Sequence, residues 1–466
     1  MNAAYGSLER LFVPKTVAVV GASRDKRKKG NRLLRNLKKT FPGTVFPVHP
    51  SARSVEGLPA YRSLDDVPAT VDLLIPLIPA GSLMELVRSC PRDRVKVLLA
   101  IPSGFGEVPP DGEVLERELV AAAKGKGMRV VGPNTLGVMN PRYGLNASLA
   151  PPLPGDPGGL SCVTQSGGFG MAIYMYGIEH QLGITKFCDL GNTSDVSIAE
   201  VLEYFADDAS TTIMGAFLEA HPSRVATSIA EAARQKPLIL TALGRSPAGR
   251  RATTAHLGLT PGSHRVVPPP GSRPILAQTG LEMLDIAKAM TWQPLPRGAR
   301  IGVLTGSGGI GAELVDLCVE HGLEVPEASP GLQKRLRPHL PSYASARNPV
   351  DLTPAWADFP EMYPPLMEAL LESDEIDLLI VTVIDMATAL PELMEAIGEA
   401  VRQHAVGRDR PKPVLAYWAA PPGRRHHRQM LQASGVPCYS STLAVARVAS
   451  AISEYGRSVE GPGRTV

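Results

Sequence analysis

Three glycine-rich segments of the sequence are suited to bind an anion. Each comes directly after a short apolar run and before an amphipathic stretch, and the three are Val20-Gly-Ala-Ser23, Gln165-Ser-Gly-Gly168 and Gly306-Ser-Gly-Gly309. Where a strand turns into a helix, the first backbone N–H groups of the helix have no partner within it, and the helix dipole adds positive charge. A tight turn that only packs a helix against a strand has the same sequence, so both interpretations stay open.

A histidine in a segment of small and hydroxyl-bearing residues is the second chemical group of interest. Residues 244–262 contain His256 and follow a predicted strand at 237–241, but they show neither helical nor strand periodicity. We therefore predict a mobile loop over 244–262. A neutral imidazole nitrogen can carry a phosphoryl group, which divides one phosphoryl transfer into two steps. Taken alone, one of ten histidines is more often structural than catalytic.

The third glycine-rich segment also carries the dinucleotide-binding pattern, Gly306-x-Gly308-x-x-Gly311. By itself this pattern would suggest a nicotinamide-dependent oxidoreductase. The related segment at 165–168 has Gln165 in place of the first glycine, and the acidic residues beyond Gly311 fall in a stretch interrupted by proline. The NAD-dependent interpretation stays open as an alternative.

Charge and cysteine content narrow the class of protein. The formal net charge is +3, which favours neither nucleic acid nor a membrane as the main partner. A basic run over 24–35 could hold a small polyanion or form a solvated helix start. The five scattered cysteines lack metal-ligand spacing, so we predict no metal site and a reducing compartment. Without a signal-peptide pattern or an apolar run of about 18 residues, we expect a cytoplasmic protein.

Short apolar runs alternate with amphipathic stretches, a pattern typical of parallel sheets built from βαβ units. The first region predicts a helix over 31–39 and strands over 16–20, 44–48, 73–78, 95–101 and 128–131. Stretches rich in proline and glycine at 151–159 and 292–298 interrupt the alternation, as linkers do. We predict three α/β domains and a polar tail, with bounds 1–148, 149–294, 295–456 and 457–466.

An internal repeat links the second and third predicted domains. Thr164–Gly170 and Thr305–Gly311 both match T-x-S-G-G-x-G, and each follows an apolar strand and precedes a helical pattern. Five identical positions within seven residues, in the same strand–turn–helix context, predict two related flavodoxin-like domains.

Several segments together carry a resemblance to a known family. They are Thr16-Val-Ala-Val-Val-Gly-Ala-Ser23, Gly132-Pro-Asn-Thr-Leu-Gly137, Thr164-Gln-Ser-Gly-Gly168, Leu190-Gly-Asn-Thr-Ser-Asp195, Gly244-Arg-Ser-Pro-Ala-Gly249 with Ala255-His-Leu-Gly258, and Asn348-Pro-Val-Asp-Leu352. In this order they closely resemble the α subunit of the NDP-forming acyl-CoA synthetases, such as ADP-forming acetate–CoA ligase, relatives of succinyl-CoA synthetase. The resemblance runs from about residue 8 to at least residue 450. It implies an α/β fold in which a Rossmann-like CoA-binding domain precedes two flavodoxin-like domains.

The resemblance also implies roles for individual residues. His256 matches the family's phosphohistidine, and Glu219 matches a carboxylate that orients the imidazole. Ser166, Gly167 and Gly168 match the helix start that holds the phosphate. The residues that would line the coenzyme A site are Gly21, Ala22, Ser23, Arg53, Ile101, Pro102, Ser103, Gly104 and Asn134.

The implied reaction converts a carboxylate, CoA and a nucleoside triphosphate into acyl-CoA, a nucleoside diphosphate and phosphate, through an acyl phosphate and phospho-His256. No P-loop pattern or ATP-grasp segment occurs in the sequence, so the resemblance implies a separate β subunit that binds Mg-ATP or Mg-ADP in a hetero-oligomer. We expect the 244–262 segment to swing between the subunits. Residues 257–274 depart from the family and contain several prolines. This departure keeps open a non-catalytic, CoA-binding regulatory relative.

Overall fold

The computed structural model describes residues 3–108, 110–153, 158–219, 225–257, 273–352, 355–409, 411–421 and 423–460. The chain forms two compact units, residues 1–280 and residues 281–466. In the described ranges, no helix is both long enough and apolar enough to cross a membrane. The same ranges contain no group of three or more His, Cys, Asp or Glu side chains that could hold a metal ion.

The first part of unit 1 is a five-stranded parallel sheet. Its elements in chain order are α1 (Ala3–Phe12), β1 (Thr16–Val20), α2 (Lys29–Thr40), β2 (Thr44–Val48), β3 (Ser54–Val55), β4 (Leu58–Pro59), β5 (Val71–Pro76), α3 (Ala80–Ser89), β6 (Val95–Leu99), α4 (Gly112–Gly125) and β7 (Arg129–Val131). The strand order is β2-β1-β5-β6-β7, and β3 and β4 form a separate hairpin. Val17, Ala18 and Val19 are fully buried, as expected where helices cover both faces of a parallel sheet.

The second part of unit 1 is a seven-stranded sheet. Its elements are β8 (Gly137–Asn140), a 3-10 turn (Pro141–Tyr143), β9 (Leu145–Ser148), β10 (Leu160–Thr164), α5 (Gly167–His180), β11 (Ile184–Asp189), α6 (Ile198–Asp207), β12 (Ile213–Leu218), α7 (Val225–Gln235), β13 (Leu238–Ala242), α8 (Pro247–Leu257) and β14 (Ile275–Leu276). The order is β14-β13-β12-β10-β11-β8-β9, parallel except for the β8–β9 hairpin, which pairs antiparallel with β11. The hairpin precedes the boundary that we drew at residue 148 yet extends the second sheet.

The prediction of a loop over 244–262 is wrong for most of that segment, because Pro247–Leu257 is helix α8. Proline fits the first turn of a helix, where its missing N–H is not needed. Ser246 stabilises that turn, since its Oγ accepts the Gly249 N–H at 3.0 Å. The helix carries small, hydroxyl and basic residues rather than an apolar stripe, so its periodicity was not visible in the sequence. Residues 258–262 lie outside the described part of the chain.

The two sheets of unit 1 pack into one body through helices at their shared boundary. The rings of Phe12 in α1 and Tyr204 in α6 stack with centroids 5.2 Å apart, and the Tyr204 hydroxyl donates to Glu9 Oε2 at 2.9 Å. Asn36 in α2 donates from Nδ2 to the backbone oxygens of Ser148 (3.1 Å) and Ala150 (2.8 Å). These contacts join the two sheets within unit 1.

Unit 2 contains the third parallel sheet. Its elements are α9 (Gly280–Trp292), β15 (Ile301–Thr305), α10 (Gly308–Glu320), α11 (Pro330–Leu336), β16 (Val350–Asp351), α12 (Phe359–Glu372), β17 (Leu378–Ile384), α13 (Pro391–Ala405), β18 (Val414–Ala419), α14 (Arg425–Ala433), β19 (Cys438–Tyr439) and α15 (Thr442–Glu460), with 3-10 turns at Arg337–His339, Trp356–Asp358 and Asp385–Ala389. The strand order is β16-β15-β17-β18-β19.

The same strand order, 2-1-3-4-5, recurs in the main parallel strands of all three sheets. It is the order of flavodoxin-like folds, in which ligands bind at the carboxyl ends of the strands near the first and third strands. The predicted α/β fold class is confirmed. The predicted strands at 16–20 and 44–48 match β1 and β2 at both ends, and the other three predicted strands of the first region differ from β5, β6 and β7 by one or two residues.

Candidate functional site

A cavity of about 1050 Å³ in unit 1 connects the carboxyl edges of the two sheets. Nine of the predicted site residues line it, and they are Gly21, Ile101, Pro102, Ser103, Asn134, Ser166, Gly167, Gly168 and Glu219. Ala22 and Gly104 each follow a lining residue, Ser23 follows Ala22, and Arg53 is exposed, but none of the four lines the cavity. His256 lies in the last turn of α8, but its side chain is outside the described part of the chain.

The turn after β1 forms one end of the cavity. Gly21 has φ of +84°, a conformation that favours glycine. A Cβ atom on Gly30 would lie only 2.2 Å from the Gly21 carbonyl oxygen, so the first turn of α2 packs directly on the turn after β1. Asn31 fixes this contact by donating from Nδ2 to the Ser23 carbonyl oxygen at 2.8 Å. Both glycines are therefore required by the close approach of backbone to backbone.

Basic side chains surround the same end of the cavity. Arg27, Lys28 and Lys29 line it and are exposed to solvent. Arg27 also pairs with Asp25 at 3.0 Å, whereas Lys28 and Lys29 stand at the start of α2. Cations beside a helix start give this end the electrostatic character of a phosphate site.

The turn after β10 forms the opposite end. Ser166 caps helix α5, and its Oγ accepts the Phe169 N–H at 3.4 Å. The Ser166 N–H in turn donates to Thr164 Oγ1 at 2.9 Å, which sets the direction of the chain into the helix. Gly167 and Gly168 supply the first two N–H groups of α5 at the cavity wall. Such groups are preorganised donors for an anion.

Glu219 stands beside this helix start, at the end of β12. Its side chain is nearly buried, with 5% exposed, and it lines the cavity. The Glu219 N–H donates to Gln165 Oε1 at 2.9 Å, and Gln165 Nε2 donates to Thr193 Oγ1 at 3.2 Å. The cavity therefore brings the predicted carboxylate and the predicted phosphate cradle together.

Asp189, at the end of β11, is a residue that we did not predict. It is fully buried, and it accepts the Leu136 N–H at 2.5 Å and the Gly191 N–H at 3.2 Å. A Cβ on Gly167 would lie 3.4 Å from Asp189 Oδ2, so the carboxyl is next to the helix start. Burial raises the pKa of Asp189 to about 6, more than the two backbone N–H groups lower it, and Glu219 adds to the rise. An aspartate at the end of an apolar strand was the sequence signal that could have identified Asp189 as a candidate site residue.

Asn192 and Glu107 also line the cavity and were not among the predicted site residues. Asn192 falls within the 190–195 segment that carries the resemblance, which was the available signal. Glu107 follows a loop with no motif of its own, and its proximity to Asn192 depends on the tertiary fold.

The repeated T-x-S-G-G turn shares its serine-to-threonine hydrogen bond in the two units, although Ser166 caps its helix through its side chain and Ser307 does not. In unit 2 the Ser307 N–H donates to Thr305 Oγ1 at 3.0 Å, as Ser166 does to Thr164. Asp351 pairs in register with Thr305 just as Asp189 pairs with Thr164. This correspondence in contacts as well as sequence supports two related domains.

Models of known protein families match most of the chain in succession. A CoA-binding domain matches residues 15–141, a succinyl-CoA ligase-like flavodoxin domain matches 157–289, and a ligase–CoA domain matches 301–460. The α subunit of ADP-forming acetate–CoA ligase II from Pyrococcus furiosus is 32% identical over 461 residues, which span 97% of this chain and 99% of that protein. The chain belongs to the ADP-forming acyl-CoA synthetase family, as an α subunit.

Other relatives in the synthetase family agree with this membership. The α subunit of ADP-forming acetate–CoA ligase I from Pyrococcus furiosus is 30% identical, with 97% of this chain and 98% of that protein covered. ADP-forming acetate–CoA ligase I from Archaeoglobus fulgidus is also 30% identical, but the matched region is 64% of its length. The solved structure of an acetyl-coenzyme A synthetase from Candidatus Korarchaeum cryptofilum, in complex with phosphate and ADP, has a TM-score of 0.86 at 30% identity and 97% coverage of both chains.

Proposed function

We propose that this chain is the α subunit of an acyl-CoA synthetase that makes acyl-CoA from a carboxylate and CoA while a nucleoside triphosphate is converted to the diphosphate and phosphate. An acyl phosphate and phospho-His256 are the intermediates. The observation that carries the proposal is the single cavity that joins a basic, glycine-shaped turn at one end to a capped helix start and a nearly buried carboxylate at the other. The reaction needs both kinds of site in one space.

Coenzyme A would bind toward the first sheet. Its phosphates match the turn at Gly21 and the cations Lys28 and Lys29, where no side chain separates the backbone from a ligand. The loop Ile101–Ser103 and Asn134 would line the middle of the cavity. Of the other residues predicted for this site, Ala22, Ser23 and Gly104 would act by shaping the turns, and Arg53 would have to reach the ligand from outside the cavity.

The phosphoryl group would bind toward the second sheet. The N–H groups of Gly167 and Gly168 at the start of α5 are directed donors for a phosphate, with Ser166 as the cap. Glu219 would hold the far nitrogen of the His256 ring and so fix the tautomer that reacts. Because α8 follows β13 in the same sheet as β10 and β12, His256 belongs to the same domain as this phosphate cradle.

A separate partner chain is part of the proposal. The Pyrococcus relatives matched along nearly their whole length are named α subunits, whereas the Archaeoglobus enzyme has about a third of its length outside the match. We propose that an ATP-grasp β subunit supplies the Mg-nucleotide site and exchanges the phosphoryl group with His256. Movement of the segment that carries His256 would connect the two sites, and it would have to include part of α8.

We also propose a cytoplasmic location. All five cysteines are free and buried, and burial raises the pKa of Cys162, Cys318 and Cys438 to about 12. Neutral thiols of this kind are compatible with a reducing compartment.

The two alternatives from the sequence are weaker. A non-catalytic CoA-binding regulator is not favoured by relatives that are ligases along nearly the full length of the chain. The nicotinamide alternative rests on one glycine pattern, and in unit 2 that pattern belongs to the repeated T-x-S-G-G turn.

A product assay with the partner tests the proposal. The chain and its ATP-grasp partner are mixed with ATP, CoA and a panel of small carboxylic acids, and thioester, ADP and phosphate are measured. We expect the three products in equal amounts for at least one acid. CoA binding with no thioester from any acid would favour the regulatory alternative instead.

A further inference from the structure

A polar cluster joins the two sheets of unit 1 beside the cavity. The Asn192 side chain, in the turn after β11, donates from Nδ2 to Glu107 Oε2 and to Glu116 Oε2, each at 2.7 Å. Ser194 adds a bond from its Oγ to Glu116 Oε1 at 2.5 Å. Two acids of the first domain therefore share donors from one turn of the second.

The two carboxylates hold the loop that follows the cavity-lining residues Ile101–Ser103. Glu107 Oε1 accepts the N–H groups of Gly104 at 2.5 Å and Phe105 at 3.3 Å. Glu116 Oε2 accepts the Gly106 N–H at 2.9 Å. Three consecutive backbone donors thus end on carboxylates that Asn192 fixes in place.

Asn192 is itself held by its own turn. Its backbone N–H donates to the Pro133 carbonyl oxygen at 3.0 Å, and its Oδ1 accepts Asn134 Nδ2 at 3.4 Å. A Cβ on Gly191 would lie 2.2 Å from the Pro133 oxygen, so the turn packs closely on the segment that contains Asn134. The backbone of Asn192 is therefore held against a segment that lines the cavity.

The charges of the cluster require a donor at this position. Burial by itself would raise the pKa of Glu107, but the Asn192 amide and the N–H groups of Gly104 and Phe105 outweigh it and lower the pKa. Glu107 is therefore a carboxylate near neutral pH, and the Asn192 nitrogen stands between it and Glu116. A third carboxylate here would meet like charge on two sides, which is costly in a partly buried site.

We propose that Asn192 is a positioning residue that holds the 101–106 loop in the shape required to bind CoA, and that it does so by bridging Glu107 and Glu116. This inference rests on the proposed function, in which the cavity binds CoA. Asn192 acts on CoA through the loop, and the geometry of the loop depends on an amide donor rather than on the volume of the side chain.

Calorimetric titration of CoA into the full-length chain tests the proposal. We expect Asn192→Asp to weaken CoA binding at least tenfold, because the new carboxylate repels Glu107 and Glu116. The double variant Asn192→Asp/Glu107→Gln exchanges the amide and the carboxylate of this pair but leaves Glu116 in place, and we expect it to bind CoA at least threefold more tightly than Asn192→Asp. The matched control is Glu118→Gln, on helix α4 with Glu116, whose exposed side chain pairs with Arg88, and it should leave affinity unchanged.

Two results distinguish a loss of loop positioning from a general loss of folding. They are the recovery of affinity in the double variant and the behaviour of Asn192→Ala. Asn192→Ala adds no charge, and we expect it to weaken CoA binding several-fold with a melting temperature close to that of the wild type. If Asn192→Asp and Asn192→Ala both bind CoA as tightly as the wild type does, the inference is overturned while the proposed function stands. If Asn192→Asp is weak and the double variant is equally weak, charge bridging is overturned. If the wild-type chain itself binds no CoA, the proposed function fails and takes the inference with it.

Discussion

The backbone N–H of Glu219 donates a 2.9 Å hydrogen bond to Gln165 Oε1, which joins the end of β12 to the turn before helix α5. Gln165 also donates to Thr193 Oγ1, so one side chain connects three strand ends of the sheet at the phosphate cradle. The repeated turn in unit 2 has Gly306 at this position and cannot make these contacts. The two related turns therefore differ at the residue that aligns the carboxylate.

Replacing Gln165 by the glycine of the repeat should loosen the phosphate end of the cavity. Two hydrogen bonds are lost, each worth about 1 kcal/mol of stability. We expect Gln165→Gly to lower kcat for acyl-CoA formation about tenfold with a smaller change in the KM for CoA. Steady-state kinetics measure the split, and Gln165→Met, which keeps the size of the side chain but neither hydrogen bond, should lower kcat to a similar extent. Equal activity of the wild type and the glycine variant would contradict this role.

Glu219→Gln removes a charge without changing size. If the carboxylate fixes the imidazole of His256, its loss should slow phosphorylation of the chain roughly 10- to 100-fold, the usual effect of losing such a partner. Quenched-flow labelling with ATP and the partner subunit measures the rate. Glu231→Gln, an exposed acid on α7, is the control and should leave the rate unaltered. A normal rate in Glu219→Gln would remove this residue from the mechanism.

Asp189 should make unit 1 less stable as pH rises through 6. Its pKa is raised from an ordinary 3.8 to about 6, so between these values the folded chain retains a proton that the unfolded chain has lost. The contribution of protonated Asp189 to the stability of the folded chain is complete below about pH 4 and is lost above about pH 6. A pKa shift of two units corresponds to roughly 3 kcal/mol of unfolding free energy. Relative to Asp189→Asn, the wild type should therefore gain stability as the pH is lowered from 7.5 to 4.5. Urea unfolding over this range measures the difference.

A second aspartate provides a control of opposite sign. Burial would raise the pKa of Asp195, but Arg129 and Lys124, each 2.9 Å away, outweigh it and hold the pKa below 3.8. Its contribution is present above pH 4 and is lost as the pH falls further. The difference between wild type and Asp195→Asn should thus shrink on acidification. If the stability difference between wild type and variant changes with pH in the same direction for Asp189→Asn and Asp195→Asn, the Asp189 interpretation is wrong.

The parts of the site that depend on local sequence were predictable, and those that depend on pairing between distant segments were not. The turns at Gly21 and Ser166 follow apolar strands directly, so glycine and serine at those positions predict an anion site. Helix α8 was missed because a short helix without an apolar face has no periodic signal. The attachment of hairpin 137–148 to β11 also has no local signature, because residues up to fifty apart in sequence form the contact.

The polar cluster at Asn192 shows the same limit. Glu107 follows a strand and Glu116 lies in helix α4, and both resemble surface acids in the sequence. Their function in the fold appears only when the turn after β11 places an amide between them. The resemblance identified the 190–195 segment, but not the partners of its side chains.

The most direct test of the account is the location of a phosphoryl group on the chain. The chain and its ATP-grasp partner are incubated with ATP labelled in the γ-phosphate, and the labelled peptide is identified by mass spectrometry. We predict one acid-labile, base-stable label on His256, absent from His256→Ala and retained in His339→Ala, a variant of an exposed histidine in unit 2. No label with an active partner, or a label that persists in His256→Ala, would contradict the account.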